Sequence, residues 1–547
     1  MVSSVFDVFA RTAEAAPHHV FLCAPPAPGR AYHPNGIEFT YEQTRDAALA
    51  LREVYRAAGY GHGHRVALLL ENRPEFFFHF LALNSLGVSI VPVNPDYRHD
   101  EMLYLMEHSE AELAVVTHTR VADIERVASD RAKPLPVVGA ENLPLRLPPP
   151  ALAPRADLPG RDTETSLLYT SGTTGRPKGC VLTNFYYLNA GAWYRDLGGR
   201  IQIDYGRERF LNPLPLFHMN AQVVTATCAM LTAGCLAQPE RFSPSRWWKD
   251  VENSQATIIH YLGVMPPLLL NQPPAPEERR HRVKFGLGAG VEPELHAAFE
   301  ERFGFPLVEV WGMTETGRIY SDCIEPRQIS TRAFGRPFGG LEAKVVDDRD
   351  QEVPRGAEGE LLVRWGGREG GRHGFFAGYL KNPEATEEAW RGGWFHTGDV
   401  VRQLPDDMLV FLDRKKNIIR RSGENIAAAE VEACLQAHRA VSQVAVLAVP
   451  DDVREEEVMA CVVPMPGVAP ARALGEILQD WCLEKLAYFK APGWVLFVET
   501  LPTTGTQKVQ KSLIFPKGED PRSLPTVLDL RDRKKRRPGP TAIRTSG

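Results

Sequence analysis

The sequence of 547 residues is too long for one ordinary domain, so it predicts two or more. A hydrophobic fraction of 44% with 24% charged residues is typical of a globular protein. The net charge of −5 gives no signal for general binding to polyanions. The eight cysteines form no CxxC pair or His–Cys cluster, which argues against a structural zinc site and favours reduced thiols in the cytoplasm.

The beginning of the chain does not resemble a signal peptide, because Asp7 and Arg11 interrupt it. One uncharged apolar run, residues 76–95, is long enough to consider as a membrane span. Its hydrophobic period changes midway, so we predict a buried helix over residues 74–86 and then a buried strand over residues 88–93. A membrane-spanning helix is the alternative.

Short β-branched runs alternate with helical patterns early in the chain. The predicted elements are strands over residues 65–70, 88–93 and 113–116 and helices over residues 74–86 and 99–109. Such alternation predicts an α/β fold with doubly wound, parallel sheets. The proline-rich residues 143–159 predict a linker between two lobes of this region.

The pattern then changes to short strands separated by turns, which predicts a small β-rich lobe, and after Arg414 it becomes α+β. We therefore predict an N-terminal domain over residues 1–414, a C-terminal domain over residues 415–517 and a tail over residues 518–547. The tail is basic and lacks apolar periodicity, so we expect it to be disordered. Binding of nucleic acid or anionic lipid by the tail is the alternative.

Residues 169–179, Tyr-Thr-Ser-Gly-Thr-Thr-Gly-Arg-Pro-Lys-Gly, form the most informative run of the chain. Glycines let a backbone approach an anion and the lysine supplies a cation, so this run favours a loop around a polyphosphate. Pro177 precedes the lysine and Gly179 follows it, which excludes a Walker loop. A flexible surface loop is the alternative. The predicted phosphate-binding residues are Thr170, Ser171, Gly172, Thr173, Thr174 and Lys178.

This run resembles the phosphate loop of the adenylate-forming superfamily, which comprises acyl-CoA synthetases, adenylation domains and luciferases. Further motifs in the family's order extend the resemblance over about residues 5–515. The resemblance implies a large N-terminal AMP-binding domain with doubly wound sheets and a small β-rich lobe. It also implies a smaller, mobile α+β C-terminal domain.

A second motif places Thr314 and Glu315 directly after an apolar strand. Ligands of open α/β sheets bind at the carboxyl ends of strands, and Mg²⁺ favours one or two carboxylates together with phosphates. The resemblance implies that Trp311 stacks on adenine beside Gly312, that Thr314 contacts the α-phosphate and that Glu315 holds the metal. The family more often has tyrosine at the position of Trp311. A purely structural strand end is the alternative.

Two further motifs resemble the ribose-binding and hinge segments of the family. The resemblance implies that Asp399 and Arg414 bind the ribose hydroxyls and that the C-terminal domain swings about Lys416. It also implies that Gly423 and Glu424 enter the active site on the CoA side during thioester formation. Without the family, these segments would be a β-turn and a basic, solvated surface.

The last motif resembles the segment that carries the family's catalytic lysine. The resemblance assigns this role to Lys508, with Thr314 and Glu315 as the other catalytic residues. A lysine near the reacting carboxylate and phosphate would neutralise developing charge. Gln507 stands where the family usually has glycine, and Lys511 is the alternative lysine.

Two weaker segments complete the predicted site. Gly288, Ala289 and Gly290 follow a short strand, and the resemblance implies that their backbone lines the adenine pocket. A tight strand–helix turn is the alternative. His218 resembles a residue of the family's gate segment, so it would lie with Gly312 near the acyl group, although a lone histidine is more often structural.

The resemblance implies an ATP-dependent carboxylate–CoA ligase that uses ATP, Mg²⁺ and coenzyme A. A carboxylic acid would form an acyl-adenylate with release of pyrophosphate, and a thiol would then take the acyl group and release AMP. Several segments look closest to crotonobetaine/carnitine–CoA ligases or fatty-acid–CoA ligases, and the acid itself stays open.

Two alternatives to this function remain: loading of a separate carrier protein, and a catalytically inactive sensor of nucleotide or acyl-adenylate. We expect small-molecule partners, no nucleic acid, no transmembrane segment and a cytoplasmic location. Homodimerisation stays open.

Overall fold

Local sequence signals define where several helices begin. Ser4 accepts a hydrogen bond from the backbone N–H of Asp7, and the Asp7 carboxylate accepts one from the N–H of Ser4. Thr40 and Gln43 form the same reciprocal cap at the second helix. Such caps satisfy N–H groups that have no partner within the helix, so the helices start at defined residues.

The computed structural model describes residues 4–144, 146–170, 177–421, 424–451, 454–503, 509–516 and 519–534. The α-helices within these residues are α1 (Val5–Ala15), α2 (Tyr41–Ala57), α3 (Glu75–Ser85), α4 (His99–His108), α5 (Val121–Ser129), α6 (Asn184–Arg195), α7 (Ala226–Thr232), α8 (Trp247–Ser254), α9 (Met265–Leu270), α10 (Pro293–Phe303), α11 (Pro383–Ala389), α12 (Ala428–Gln436) and α13 (Arg472–Lys485).

The strands up to the second motif are β1 (Val20–Ala24), β2 (Ile37–Thr40), β3 (Arg65–Leu69), β4 (Ser89–Pro92), β5 (Leu113–Val116), β6 (Val137–Gly139), β7 (Glu164–Thr170), β8 (Lys178–Thr183), β9 (Arg209–Leu211), β10 (Cys235–Ala237), β11 (Ile258–Leu262), β12 (Phe285–Ala289) and β13 (Leu307–Gly312). The later strands are β14 (Ile319–Ser321), β15 (Ala333–Gly335), β16 (Leu341–Val346), β17 (Glu358–Trp365), β18 (Gly378–Tyr379), β19 (Phe395–Gln403), β20 (Leu409–Arg414), β21 (Ile418–Arg421), β22 (Glu424–Ala427), β23 (Val441–Asp451), β24 (Glu455–Pro464), β25 (Trp494–Phe497) and β26 (Leu528–Asp529).

Among the described residues, eight strands form the first sheet, in the order β14-β13-β12-β11-β9-β10-β1-β2. The strands from β13 to β1 run parallel, whereas β2 and β14 are antiparallel edge strands. Trp247, Ile259 and Phe299 belong to the hydrophobic core on this sheet. The parallel arrangement brings the carboxyl ends of β9, β11, β12 and β13 to one edge, where ligands of such sheets bind.

The second sheet of the described chain has the order β18-β8-β7-β4-β3-β5-β6. The strands from β7 to β6 are parallel, and β8 and β18 extend the sheet in antiparallel fashion. Both sheets confirm the predicted α/β fold. Helices join β3 to β6 in sequence, and likewise β10 to β13, as the alternating pattern indicates.

The proline-rich segment joins β6 to β7, so both of its ends belong to one sheet, and the prediction of a linker between two lobes is wrong. Its described part packs against the loop before β3: the hydroxyl of Tyr60 donates to the carbonyl of Pro148, and Nδ1 of His62 lies 2.9 Å from the carbonyl oxygen of Asp157. Proline lacks the N–H that a central strand needs, but it can still cover the end of a sheet. Composition alone does not distinguish a proline-rich linker between lobes from a proline-rich connection within one sheet.

The apolar run of residues 76–95 contains a buried helix, α3, and a buried strand, β4, as predicted. The alternative of a membrane span is wrong here, because α3 has 11 residues and a span needs about 20. No helix in the part of the chain that the structure describes is both long and apolar enough to cross a bilayer.

The small β-rich lobe and the α+β C-terminal region are also present. The order of the third sheet is β15-β20-β19-β17-β16. The fourth sheet has the order β22-β21-β24-β25-β26, and β23 also pairs with β24. The core on the fourth sheet includes Val446, Val462 and Leu478, so α13 contributes to it.

The chain divides into two compact units. Unit 1 contains the described residues of Met1–Lys344, Leu362–His396 and Leu404–Val410. Unit 2 contains those of Val345–Leu361, Thr397–Gln403 and Phe411–Gly547. The predicted domain boundary after residue 414 stays a prediction.

Residues 519–534 fold as part of unit 2. β26 pairs antiparallel with β25, Leu530 is fully buried in the core, and Nζ of Lys534 contacts Glu457. The expectation of a disordered tail from residue 518 is therefore wrong for this stretch. A two-residue strand held by its neighbour needs no apolar periodicity of its own. Residues 535–547 lie outside the described part of the chain.

Candidate active site

The carboxyl ends of β12 and β13 lie side by side in the first sheet. Each strand leads directly into residues that the sequence assigns to the site. The predicted residues at this edge are Gly288, Ala289, Gly290, Trp311, Gly312, Thr314 and Glu315. The sheet thus brings two motifs together that are separated along the chain.

β7 and β8 form an antiparallel hairpin that carries the first motif. Thr170 ends β7 and pairs with Lys178, which begins β8. The first and last described residues around this motif therefore lie opposite each other in the sheet. The other predicted phosphate ligands of this loop, outside the described residues, are Ser171, Gly172, Thr173 and Thr174.

Tyr379 contacts both the first motif, at Lys178, and the second motif, at Glu315. Its hydroxyl donates a hydrogen bond to Oε1 of Glu315 at 2.9 Å, and Nζ of Lys178 lies 4.7 Å from its ring centroid. Burial, together with the nearby carboxylate, raises the pKa of Tyr379, so the phenol keeps its proton and can act as the donor. Glu315 is only 6% exposed, and no cation of the described residues forms an ion pair with it.

Aromatic side chains hold the second motif in place. The hydroxyl of Tyr186 donates to the carbonyl of Thr314 at 2.6 Å. Trp311 stacks on Tyr320 with ring centroids 5.7 Å apart, and Phe334 lies 6.0 Å away. Trp311 is buried by these rings, and its stacking on adenine stays a prediction.

Glu309 is a buried carboxyl within β13 that ties three strand ends together. Its oxygens accept hydrogen bonds from the hydroxyl of Tyr261 at 2.6 Å, the N–H of Gly290 at 2.8 Å and the N–H of Val291 at 3.4 Å. Burial raises the pKa of Glu309 to about 7, although these donors and nearby His296 favour the charged form. Glu309 therefore positions the segment after β12, which the sequence assigns to the adenine pocket.

Close backbone approach explains the glycines at this edge. A Cβ on Gly288 would lie 2.3 Å from the carbonyl oxygen of Tyr261, and one on Gly263 would lie 2.0 Å from that of Gly290. Gly290 itself has a φ of +87°, which side chains rarely allow. The ends of β11 and β12 can approach this closely only because these positions lack side chains.

His218 lies after β9 and just before a π-helical turn over Asn220–Thr225. π-Helical turns are frequent at functional sites. Its ring centroid is 4.6 Å from that of Phe217, and burial lowers the pKa of His218 to about 4, so the ring is neutral near pH 7. Its position near an acyl group, like that of exposed Gly312, stays a prediction.

In unit 2, the two predicted ribose ligands contact each other. Nε of Arg414, at the end of β20, lies 2.7 Å from Oδ1 of Asp399 on β19, and Asp399 is 1% exposed. Thr397 fixes this part of β19, because its hydroxyl donates to the carbonyl of Leu361 and accepts from the N–H of Asp399. A ribose diol at this position would share the Asp399 carboxylate with Arg414.

The segment after Arg414 holds the other predicted residues of unit 2. Nζ of Lys415 pairs with Glu360 at 3.0 Å and with Asp348 at 3.1 Å, which anchors the start of the predicted hinge. β21 and β22 form the hairpin in which Glu424 begins the second strand. The residues or side chains that lie outside the described part are Gly423, Lys508 and the side chains of Lys416 and Glu424.

The alternative catalytic lysine, Lys511, is already paired inside unit 2. Its Nζ lies 2.8 Å from Oε1 of Glu432, and the same carboxylate accepts a hydrogen bond from the N–H of Val446. Lys511 is therefore part of an ion pair in this structure, and the catalytic role of Lys508 stays a prediction.

Comparison with known families identifies the class of protein. The family model described as AMP-binding enzyme matches residues 9–380, and that of the AMP-binding enzyme C-terminal domain matches residues 430–508. The chain belongs to this family of adenylate-forming enzymes, which confirms the resemblance seen in the motifs.

Individual relatives are similar over most of their length. The chain is 31% identical to a crotonobetaine/carnitine–CoA ligase of Proteus mirabilis, over 87% of this chain and 92% of the relative. It is 30% identical to a sulfoacetate–CoA ligase of Cupriavidus necator, with the same coverage. The crystal structure of ATP-bound MatB from Rhodopseudomonas palustris superposes with a TM-score of 0.76 at 25% identity, over 93% of this chain and 98% of that chain.

Sequence reasoning missed Tyr379 and Glu309. Tyr379 lies 64 residues after Glu315, and nothing in its local pattern indicates that contact. Glu309 does carry a signal, because it is the single charged residue in the apolar strand Leu307–Gly312. A carboxylate in a buried strand needs hydrogen-bond donors, so this pattern indicates a glutamate that holds neighbouring segments in place.

Proposed function

We infer that this chain is an ATP-dependent carboxylate–CoA ligase that works through an acyl-adenylate. In the first half-reaction a carboxylate oxygen attacks the α-phosphorus of ATP, and pyrophosphate leaves. In the second, a thiol attacks the activated carbonyl carbon, and AMP leaves. Membership of the AMP-binding enzyme family and the CoA ligases among the relatives support this function.

One observation carries the first half-reaction. Lys178 and Glu315, a cation and a carboxylate from two motifs, both contact Tyr379 but do not pair with each other. Lys178 is thus available to a phosphate and Glu315 to a divalent metal. Preorganised charges of this kind usually supply much of the rate enhancement in such reactions.

Mg²⁺ fits the donors of this site. The ion favours oxygen ligands from one or two carboxylates together with substrate phosphates, and Glu315 offers one buried carboxylate whose hydrogen-bond donor is neutral. When bound, Mg²⁺ would neutralise charge on the phosphates of ATP. Thr170 and Lys178, at the two ends of the hairpin loop, would lie beside those phosphates.

We propose the following roles for the predicted residues of unit 2. Asp399 and Arg414 bind the ribose, Lys508 stabilises charge during adenylation, and the chain turns about Lys416 to present Gly423 and its neighbours for thioester formation. Coenzyme A is the thiol. The cytoplasmic location and a homodimer stay predictions.

A pyrophosphate-release assay over a panel of carboxylic acids, with Mg-ATP and with or without coenzyme A, tests the function. The panel includes crotonobetaine, carnitine and sulfoacetate, because relatives carry those names, together with fatty, dicarboxylic and aryl acids. We expect release with one acid class, faster with coenzyme A, and formation of AMP and a thioester. Release without any effect of coenzyme A would indicate carrier loading instead, and no release with any acid would contradict the ligase.

The lysine assignment has its own test. We expect Lys508→Ala to slow adenylation about 100-fold while transfer from preformed acyl-adenylate to coenzyme A continues. Lys511→Ala is the matched control, since it removes a structural ion pair. It should lower the free energy of unfolding and leave the adenylation rate nearly unchanged. Equal effects of Lys508→Ala on both half-reactions, or none on either, would contradict the assignment.

A further inference from the structure

Tyr379 is fixed to the strand that starts with Lys178. β18 pairs antiparallel with β8, with Tyr379 opposite Cys180. The N–H of Leu380 donates to the carbonyl of Gly179, and the N–H of Tyr379 donates to the hydroxyl of Thr386. The tyrosine backbone therefore has little freedom, and its side chain has a defined direction.

The side chain of Tyr379 separates two opposite charges. Its hydroxyl binds Oε1 of Glu315, whereas the face of its ring lies under Nζ of Lys178. A cation over an aromatic face is stabilised without being neutralised, and a carboxylate that accepts from a neutral phenol keeps its full charge. Lys178 and Glu315 both retain charge for a ligand.

Without this side chain, Lys178 and Glu315 would attract each other strongly in a partly buried environment. A direct ion pair would satisfy both, and ATP and its metal would have to break it. We propose that Tyr379 is a positioning residue that keeps Lys178 and Glu315 apart and directs them toward the polyphosphate and the metal of Mg-ATP. This inference rests on the proposed function.

The two contacts of Tyr379 can be removed separately. Tyr379→Phe removes the hydroxyl and keeps the ring, which packs edge-on against Phe376 with centroids 4.8 Å apart. Tyr379→Leu removes both the donor and the aromatic face. Tyr60→Phe is a matched control, because it deletes another buried hydroxyl of unit 1, which donates to the carbonyl of Pro148 at 3.0 Å.

Calorimetric titration of ATP into the full chain, at a series of Mg²⁺ concentrations and without acid, tests the proposal apart from turnover. ATP affinity should rise with Mg²⁺ to a maximum, and we expect Tyr379→Phe to raise the Mg²⁺ concentration at which half of this rise is reached about 10-fold. The ATP affinity of this variant without Mg²⁺ should stay within about 2-fold of the wild-type value. Tyr379→Leu should in addition weaken ATP binding without Mg²⁺ about 10-fold, because Lys178 then pairs with Glu315. Tyr60→Phe should match the wild type.

A Mg²⁺ dependence of Tyr379→Phe equal to that of Tyr60→Phe would overturn the proposal. The double variant Tyr379→Leu/Glu315→Gln has no carboxylate with which Lys178 could pair, so it should regain the ATP affinity that Tyr379→Leu loses. A double variant that stays as weak as Tyr379→Leu would also overturn the proposal. Wild-type protein that binds Mg-ATP but releases no pyrophosphate with any acid would refute the proposed ligase and leave the role of Tyr379 in binding intact.

Discussion

Two buried glutamates, Glu315 in unit 1 and Glu457 in unit 2, differ in whether a cation of the protein neutralises their charge. Glu315 of unit 1 is 6% exposed and accepts from the neutral phenol of Tyr379. Glu457 of unit 2 is fully buried and pairs with two cations: Nε of Arg421 at 2.8 Å and Nζ of Lys534 at 2.5 Å. One carboxylate is satisfied without being neutralised, and the other is neutralised entirely by the protein.

The difference separates a ligand site from a structural contact. A buried charge costs several kcal/mol unless a partner compensates it. In unit 2 the cluster around Glu457 provides that compensation and holds the segment that contains Lys534, because Lys534 also donates to the carbonyl of Phe489. In unit 1 the compensation is incomplete, which leaves the charge of Glu315 available to the proposed metal.

The largest effect should come from Glu457→Ala. Removing the shared carboxylate leaves Arg421 and Lys534 buried without a counter-charge, so we expect the free energy of unfolding to fall by about 3–5 kcal/mol. Urea denaturation measures it. Glu499→Ala, at an exposed glutamate of the same unit, should have almost no effect; equal losses in the two variants would show that the cluster does not stabilise unit 2.

Glu309 extends the comparison to pH. Its pKa is raised by burial from 4.5 to about 7 in the folded protein, so between these values the folded state binds more protons than the unfolded state. The stabilisation from the protonated form is present below pH 4.5 and is lost as the pH rises through 7. We expect a loss of ~3 kcal/mol over this range, which Glu309→Gln should abolish. Denaturation of both proteins from pH 5 to 8 checks this, and parallel pH profiles would refute it.

Glu315→Gln should affect activity far more than stability. We expect pyrophosphate release to fall about 100-fold, because the metal loses its carboxylate. The free energy of unfolding should not fall, since the amide removes a buried, incompletely compensated charge and its oxygen can still accept from Tyr379. Glu294→Gln, an exposed glutamate in unit 1, serves as the control. A stability loss as large as that of Glu457→Ala would erase the distinction between the two sites.

The smallest effect should come from Lys534→Met, which leaves Glu457 paired with Arg421. We expect a loss of about 2 kcal/mol, measured by urea denaturation. Lys490→Met removes a partly exposed ion pair with Glu430 and should cost less than about 1 kcal/mol. If the two variants lose the same free energy of unfolding, burial of Lys534 does not strengthen its ion pair.

Local patterns determined much of the fold. The change of hydrophobic period within residues 76–95 located α3 and β4, and the strand predicted at residues 113–116 is β5 without a shift. These predictions succeed because periodicity reports directly which face of an element is buried. The motifs that contain Glu315, Asp399 and Lys178 likewise predicted the family of the chain, and the comparisons confirm this family.

The sequence by itself therefore determined the family and the sheet type, since each depends on short segments, whereas the roles of the site residues stay predictions. Only the tertiary structure decided that Tyr379 touches both Glu315 and Lys178, and that Lys534 is buried against Glu457. Both contacts join residues that are far apart along the chain, and no local period encodes which distant partner satisfies a buried charge. Pairing of that kind is set by how the strands are arranged in space.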